Sequence, residues 1–366
     1  MTQPIDSSQR RHTFDPTDPF AEGGPIHAAA RPPTPRQELD VESLPMLDAP
    51  LRMLLLGGSV PVNAVAKATA AAPPAPSAGQ RLLDAHAAAY SGPYRLDGQS
   101  VTASAQFRMV GGFNDRQAGC HIVNGAGDIN ADKPQVRQLK AICDRAHAPD
   151  PTSCLLGVAS PRVLVKVTQA LVDAGFATGT ADAATRIKDM QWRWGIGVDC
   201  TDYVIGAAVQ ASGSKMTPPP LGADYFREAS TNPHLHRVSV AAAKSGDVFV
   251  LRNRDPAQVG HRAVVYSSAT VDSSRAAELT ATYGAGVGDF LRSGRVQILE
   301  VDSSWGAGER GSPNGGVRRN TWLYDESTQA WAQIAPGASR AVSAPVFSLT
   351  GSGPYGEILD GLYRFR

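Results

Sequence analysis

The sequence predicts an α+β protein: a disordered tail, then a helical part, packed on a mostly antiparallel sheet that follows. Three observations carry this. Residues 1–78 are rich in Pro, Ala, Asp and Arg and close on Ala-Ala-Pro-Pro-Ala-Pro-Ser-Ala-Gly at 71–79, a composition that buries too little surface to offset its ordering entropy. Between 80 and 209, apolar residues recur at helical spacing. From 244 onward the texture changes to short apolar runs set between glycine-bearing turns, the pattern of strands. The organisation expected is a tail over 1–78, a helical and loop-rich region over 79–180, and a C-terminal domain over 181–366.

Each element follows from its residues. Within the tail, Leu51 to Val62 is apolar enough to dock as a helical turn on the body. Leu82, Leu83, Ala85, Ala88 and Ala89 predict a helix over 80–90. Residues 91–133, heavy in Gly, Asn and Asp, predict irregular structure with short strand-like pieces. Val136, Leu139 and Ile142 fall on one face of a helix over 135–145. Pro161 heads a helix ended by Gly175, as proline at a first position and glycine past the last turn suit. A short helix over 182–190 leads through Trp192 and Trp194 to Gly-Ile-Gly-Val-Asp-Cys at 195–200, where a further helix starts with Val204, Ile205, Ala208 and Val209 on its apolar face. Pro218 to Pro220 forces a loop. Strands are expected at Val248–Leu251, at 262–266 behind His261, at 295–301 running into Asp302, at 317–324, and at 361–365.

Composition excludes several functions. The 366 residues carry a net charge of +1, which gives no basic face for nucleic acid or an anionic membrane. Residues 1–15 hold no apolar signal core, and Met53 to Leu56 is too short to span a bilayer. A protein made in the cytoplasm, with delivery left to a specialised secretion route, is the expectation. Of the four cysteines, Cys120, Cys143, Cys154 and Cys200, the first three are read as ordinary thiols or one disulfide. Cys120-His121, Cys143-x-x-x-His147 and Cys154 hold zinc-type ligands, but their spacing matches no standard finger or ribbon. His234 and His236 read as surface histidines. No metal and no cofactor is expected.

Chemistry concentrates at Cys200. A cysteine at a helix start lies near the positive end of the helix dipole, which favours thiolate. His261 leads a strand and Asp302 ends one. Thiol, imidazole and carboxylate in that order are the types a nucleophile, its base and the base's orienting group require. The plain alternatives are a small buried cysteine in a core helix, a strand-end histidine held by backbone, and an aspartate that forms a turn.

Asp199-Cys200-Thr201-Asp202-Tyr203-Val204 resembles the Asp-Cys-Ser-Gly-Phe-Val signature of NlpC-like cysteine peptidases, papain-like hydrolases of the bacterial cell wall. Ser245-Gly246-Asp247-Val248-Phe249-Val250 is similar to that family's Pro-Gly-Asp-Leu-Val-Phe strand. Gly260-His261-Arg262-Ala263-Val264-Val265-Tyr266 is similar to its Gly-His-Val-Gly-Ile-Tyr strand. The resemblance covers about 190–325. It implies a papain-like core, an NlpC-like catalytic domain within 181–366, and a hydrolase or amidase that cleaves an amide bond, with peptidoglycan stem peptides as the substrate class. It implies Cys200 as nucleophile, His261 as base, and Asp302 in the third place, with Ser303 and Ser304 competing for it. Thr201 and Asp202 depart from the small residues the family places there, and Asp202 adds negative charge beside the thiolate. The interval from His261 to Asp302 requires an insertion, for which the partly helical 276–293 is available.

Asp199, Trp194, Ser304 and Arg318 are the candidates to bind substrate. Trp194, Trp305 and Trp322 can wall a cleft, and one of Arg318 and Arg319 can meet a carboxylate bidentately. Two other functions fit the same residues: a transglutaminase-like acyltransferase or deamidase acting on protein side chains, and an inactive binding module on a degenerate papain-like fold. The partners expected are a peptide or peptidoglycan-type substrate and, through the tail, an immunity or delivery partner.

Overall fold

The computed structural model describes residues 75–108, 129, 131–212, 226, 229–253, 260–292, 295–306, 315–328, 330–334, 346–348 and 357–366. The segment Leu51–Val62, Cys120 and His121 lie outside the described residues. The chain divides into two units, Met1–Ala75 and Pro76–Arg366, and every element below belongs to the second.

Helix α1 (Ala78–Ala89) starts on a capping box in which Ser77 and Gln80 satisfy each other's backbone N–H. A hairpin of β1 (Tyr94–Leu96) and β2 (Gln99–Val101) follows. Then come α2 (Pro134–Arg145), the short α3 (Thr152–Leu156) and α4 (Pro161–Asp173), with proline in the first turn of α2 and of α4. Helix α5 (Ala183–Trp194) is capped by Asp182, whose side chain accepts from the Thr185 N–H, and is ended by left-handed Gly195. Helix α6 (Cys200–Ser212) is buried on most of its surface, through Tyr203, Val204, Ile205, Ala207 and Ala208.

The strands form one eight-stranded sheet in which every pairing is antiparallel. They are β3 (Leu235–Val238), β4 (Val248–Asn253), β5 (Arg262–Thr270), β6 (Val296–Trp305), β7 (Gly316–Asp325), β8 (Ala330–Ile334), β9 (Val346–Ser348) and β10 (Glu357–Phe365). The order across the sheet is β3-β10-β4-β5-β6-β7-β8-β9. Two helices, α7 (Ser273–Tyr283) and α8 (Ala285–Leu291), fill the expected insertion between β5 and β6. The architecture is therefore mixed α+β with a large antiparallel sheet.

Side-chain alternation gives the sheet two faces. Val248, Val250, Val264, Tyr266 and Val317 pack into the core shared with α1, α4, α5 and α6. Their strand neighbours Phe249, Leu251, Ala263, Val265 and Trp322 pack into a second cluster on the other face, with Val301, Trp305 and Trp331. The first core also takes Tyr94, Val136, Leu139, Cys143, Cys154 and Leu164, so residues 79–180 and the strand region share one hydrophobic interior.

Strand β6 differs from expectation. It does not end before Asp302 but runs on to Trp305, because β5 and β7 flank it along that stretch and both offer pairing partners: Asp302 lies between Val264 and Arg319. The short edge strands β3 and β9, and β8 beside β9, carried too little periodicity to be read. Among the described residues, no helix is long and apolar enough to cross a membrane.

Candidate functional site

The segment that delivers Cys200 is held from three sides. Gly197 N–H donates to the Cys154 carbonyl (3.2 Å), Val198 N–H to the Gln106 carbonyl (3.0 Å) and Asp199 N–H to the Gly157 carbonyl (2.8 Å). The Val198 carbonyl accepts from the Arg108 N–H at 3.1 Å and from the Ser304 hydroxyl at 2.7 Å. Val198 thus bridges in parallel to Phe107 and antiparallel to Val158. The region 79–180, which the sequence left without a role, supplies most of this clamp. Ser304 acts here through backbone, holding the loop that precedes the cysteine.

Asp199 caps α6: its Oδ1 accepts the Asp202 N–H at 2.7 Å. Burial, then the neighbouring Asp202, pushes Asp199 up to about 8, and burial raises Asp202 as well. Cys200 is 5% exposed. Burial, then Asp199, pushes its thiol up to about 12, against smaller pulls from the Arg262 guanidinium, the Arg262 main chain and the Thr201 side chain. Desolvation outweighs the helix dipole here, and the thiol is protonated at neutral pH.

His261 does not meet that thiol: no hydrogen bond joins Cys200 and His261 among the described residues. Continuing the register that pairs Val264 with Asp302 sets His261 across from Trp305. The two rings stack with centroids 4.2 Å apart and planes at 33°. Alternation sends Arg262 toward Cys200 and His261 toward the second cluster. Its Nε2 is buried with no hydrogen-bond partner. Burial, Arg262 and Arg318 push the imidazole down to about 3, so it is neutral at physiological pH.

Asp302 is committed elsewhere. It is 2% exposed and forms a two-pronged pair with Arg319, Nε to Oδ1 at 2.7 Å and Nη2 to Oδ2 at 2.9 Å. The same guanidinium donates to Asp84 of α1 at 2.9 Å and lies 3.1 Å over the Tyr266 ring, whose hydroxyl donates to Asp84 at 3.1 Å. Asp302 therefore anchors α1 to the sheet and does not orient His261. Ser303 donates to the Arg262 carbonyl. Trp194 is 7% exposed and meets Phe176 edge-on, which makes it core and not a cleft wall. Arg318 donates from Nε to Asn320 at 3.3 Å, and the Trp305 indole N–H donates to the Arg318 carbonyl at 3.1 Å.

Lys188 and Asp84 enter the picture only with the structure, since neither belongs to a motif or a spacing that marks it, and Arg262 stood in the His261 segment without a role. Among the described residues, no group of three or more His, Cys, Asp or Glu is arranged to hold a metal ion, and Cys143 and Cys154 are buried free thiols. Compared with family models, curated proteins and solved structures, the chain matches none.

Proposed function

We propose that the chain is a cysteine hydrolase or amidase of papain-like type that cleaves an amide bond, with peptidoglycan stem peptides as the substrate class. The observation that supports it is the placement of Cys200 at the first position of a helix packed on an antiparallel sheet, with its thiol against the Arg262 main chain, one residue from His261. In this reading the Cys200 thiolate attacks the carbonyl carbon. N–H groups at the start of α6 stabilise the oxyanion. His261 takes the thiol proton and gives it to the leaving amine, and water then resolves the acyl-enzyme. The reading requires the strand entry at 260–262 to shift its pairing, so that His261 leaves Trp305 and faces the sulfur. Delivery to another cell's wall by a specialised secretion route is its cellular counterpart.

A second reading, a binding module that has lost catalysis, is favoured by one observation: the Cys200 thiol is buried and pushed up to about 12. Two measurements separate them. Muropeptides incubated with the full chain should be cleaved, as followed by mass spectrometry, and Cys200→Ala should remove cleavage while its circular dichroism stays unchanged. Iodoacetamide labelling of Cys200, followed by peptide mapping across pH, should show a midpoint below 8 in the hydrolase. Labelling that rises only above pH 10, with no cleavage, favours the silent module. A folded Cys200→Ala protein with full activity sinks the hydrolase.

A further inference from the structure

The chemistry of Cys200 leaves unused a lysine and a serine that touch each other. Lys188, midway along α5, reaches from Nζ to the Ser104 hydroxyl (3.2 Å) and to the Gly315 carbonyl (2.6 Å). Both residues are half-buried, so solvent reaches the pair. No carboxylate pairs with Lys188 among the described residues, and an ammonium there rests on neutral oxygens alone. The chain around Ser104 is held from three sides. The Gln106 N–H donates to the Gln191 side chain of α5 at 2.9 Å, and the Gln106 amide donates to the Lys188 carbonyl at 3.4 Å. Ala103 and Ala105 spend their N–H groups on the carbonyls of Ser91 (3.0 Å) and Tyr90 (2.8 Å), and the Val317 N–H of β7 donates to the Ala105 carbonyl at 2.9 Å. Gly316 permits that last approach, since a Cβ there would lie 2.0 Å from the Ala105 oxygen. The N–H of Ser104 itself has no acceptor among the described residues.

We propose that Ser104 and Lys188 form a second acyl-transfer centre, a serine–lysine dyad that hydrolyses carboxylic esters of uncharged acyl groups. A lysine serves as a general base only when it can shed its proton near the working pH. Burial, with a smaller push from the Arg318 charge, lowers Lys188 to about 8. A neutral amine keeps two N–H groups and one lone pair. The Gly315 carbonyl holds one N–H, and the lone pair takes the O–H of Ser104, which reverses the direction of that hydrogen bond. Ser104 Oγ then attacks the ester carbonyl carbon while its proton passes to Nζ. The carbon–oxygen bond to the alcohol breaks as Nζ returns that proton to the departing oxygen. Water gives its proton to Nζ, its oxygen attacks the acyl-serine, and Ser104 leaves with the proton from Nζ, which frees the acid. The unspent Ser104 N–H supplies an oxyanion donor on the nucleophile's own residue. An anionic acyl group would hold the proton on Lys188 and silence the base, so the substrate carries no charge there.

The dyad does not rest on the Cys200 reading, and its test removes that thiol. Full-length Cys200→Ala protein is treated with an alkyl fluorophosphonate, and the labelled peptide is mapped by mass spectrometry. The probe should join Ser104 through a phosphorus–oxygen bond with loss of fluoride, at a rate that rises to a plateau through a midpoint near pH 8 as Lys188 deprotonates. Hydrolysis of p-nitrophenyl butyrate should follow the same profile, and the charged half-ester mono-p-nitrophenyl adipate should react at least tenfold more slowly. Ser104→Ala should remove both labelling and hydrolysis. Lys188→Met should slow both at least about a hundredfold, the lower range of general-base catalysis. Lys188→Arg keeps the charge and can donate to the same oxygens but cannot give up a proton, so it should be equally slow, and it carries the test should Lys188→Met fail to fold. Absence of label from Ser104 in the folded protein, a rate without a plateau between about pH 6 and pH 10, equal turnover of the charged half-ester, or Lys188→Arg as fast as its parent overturns the proposal and leaves Lys188 as a staple between α5 and the start of β7. Muropeptide cleavage by the wild type with no label on Ser104 leaves the amidase reading standing alone, and ester hydrolysis with no muropeptide cleavage leaves the dyad alone.

Discussion

Asp202 was the residue that threatened Cys200, since a carboxylate two positions on would oppose a thiolate. Its backbone N–H is taken by Asp199, and burial raises both carboxyls, Asp199 to about 8, so less negative charge stands beside the thiol at neutral pH than the sequence suggests. This has a consequence for stability. Asp199 has an ordinary value of 3.8 and lies at about 8 in the fold, so between those values the folded chain keeps a proton that the unfolded chain has lost. Stability from this group is complete below about pH 4 and drains away as pH rises toward 8. Asp199→Asn keeps an acceptor for the Asp202 N–H, because asparagine caps helices as well as aspartate, but it cannot ionise. Thermal melts of the wild type should fall between pH 5 and pH 8 more steeply than those of Asp199→Asn. Parallel curves would mean that Asp199 is ionised in the fold.

At the level of elements, the helix at Cys200 was legible because its signals are local: a capping aspartate, then apolar residues at helical spacing. The strand led by His261 was legible for the same reason. Its facing was not. A strand inverts every side chain with a shift of one residue, and nothing within 260–266 says where pairing begins. The register with β6 decides it, and that register belongs to residues far away in sequence. Asp302 failed similarly. Aspartate before a serine pair and a glycine reads as a strand end, yet flanking strands on both sides carry β6 past it. The clamp on residues 196–199 was invisible because it is made of backbone hydrogen bonds. It leaves a signature in its glycines, Gly157 and Gly197. A Cβ at position 197 would sit 2.2 Å from the Gln106 carbonyl oxygen, a backbone atom that cannot swing away. Gly197→Ala should therefore cost at least about 2 kcal/mol, the range for forcing atoms into a packed interior. Gly175, at φ +82 with nothing within 4 Å of its Cβ position, should cost only about 1 kcal/mol as alanine, the conformational penalty alone. Urea midpoints of the two variants compare them directly, and equal losses would show that the clamp is loose.

For the whole molecule, the boundary that matters falls at the start of α1. The sequence placed a change of character near residue 78, and the chain divides at Ala75 and Pro76. Helix α1 belongs wholly to the second unit. Leu83 is 1% exposed, His86 meets the Tyr203 carbonyl at 3.1 Å and Gln210 at 3.2 Å on α6, and Asp84 completes the charge network with Arg319 and Asp302. Removing α1 would uncover the Cys200 helix along one side and leave Arg319 and the buried Asp302 without Asp84. Asp84 is half exposed and Arg319 keeps its two-pronged pair with Asp302, so losing that contact costs about 1 kcal/mol or less, while an emptied Leu83 site costs about 2–5 kcal/mol. With the apolar face of α6 uncovered as well, these reach the lower end of the stability of a typical domain, about 5–15 kcal/mol. A chain that starts at Pro76 should melt within a few degrees of the full protein and keep whatever reactivity Cys200 has. A chain that starts at Ser91 should fail to fold cooperatively, read as loss of a sigmoidal thermal transition. If the shorter chain melts cooperatively at the same temperature, α1 is an ornament on the sheet, and the Asp84–Arg319–Asp302 network does not organise the fold around Cys200.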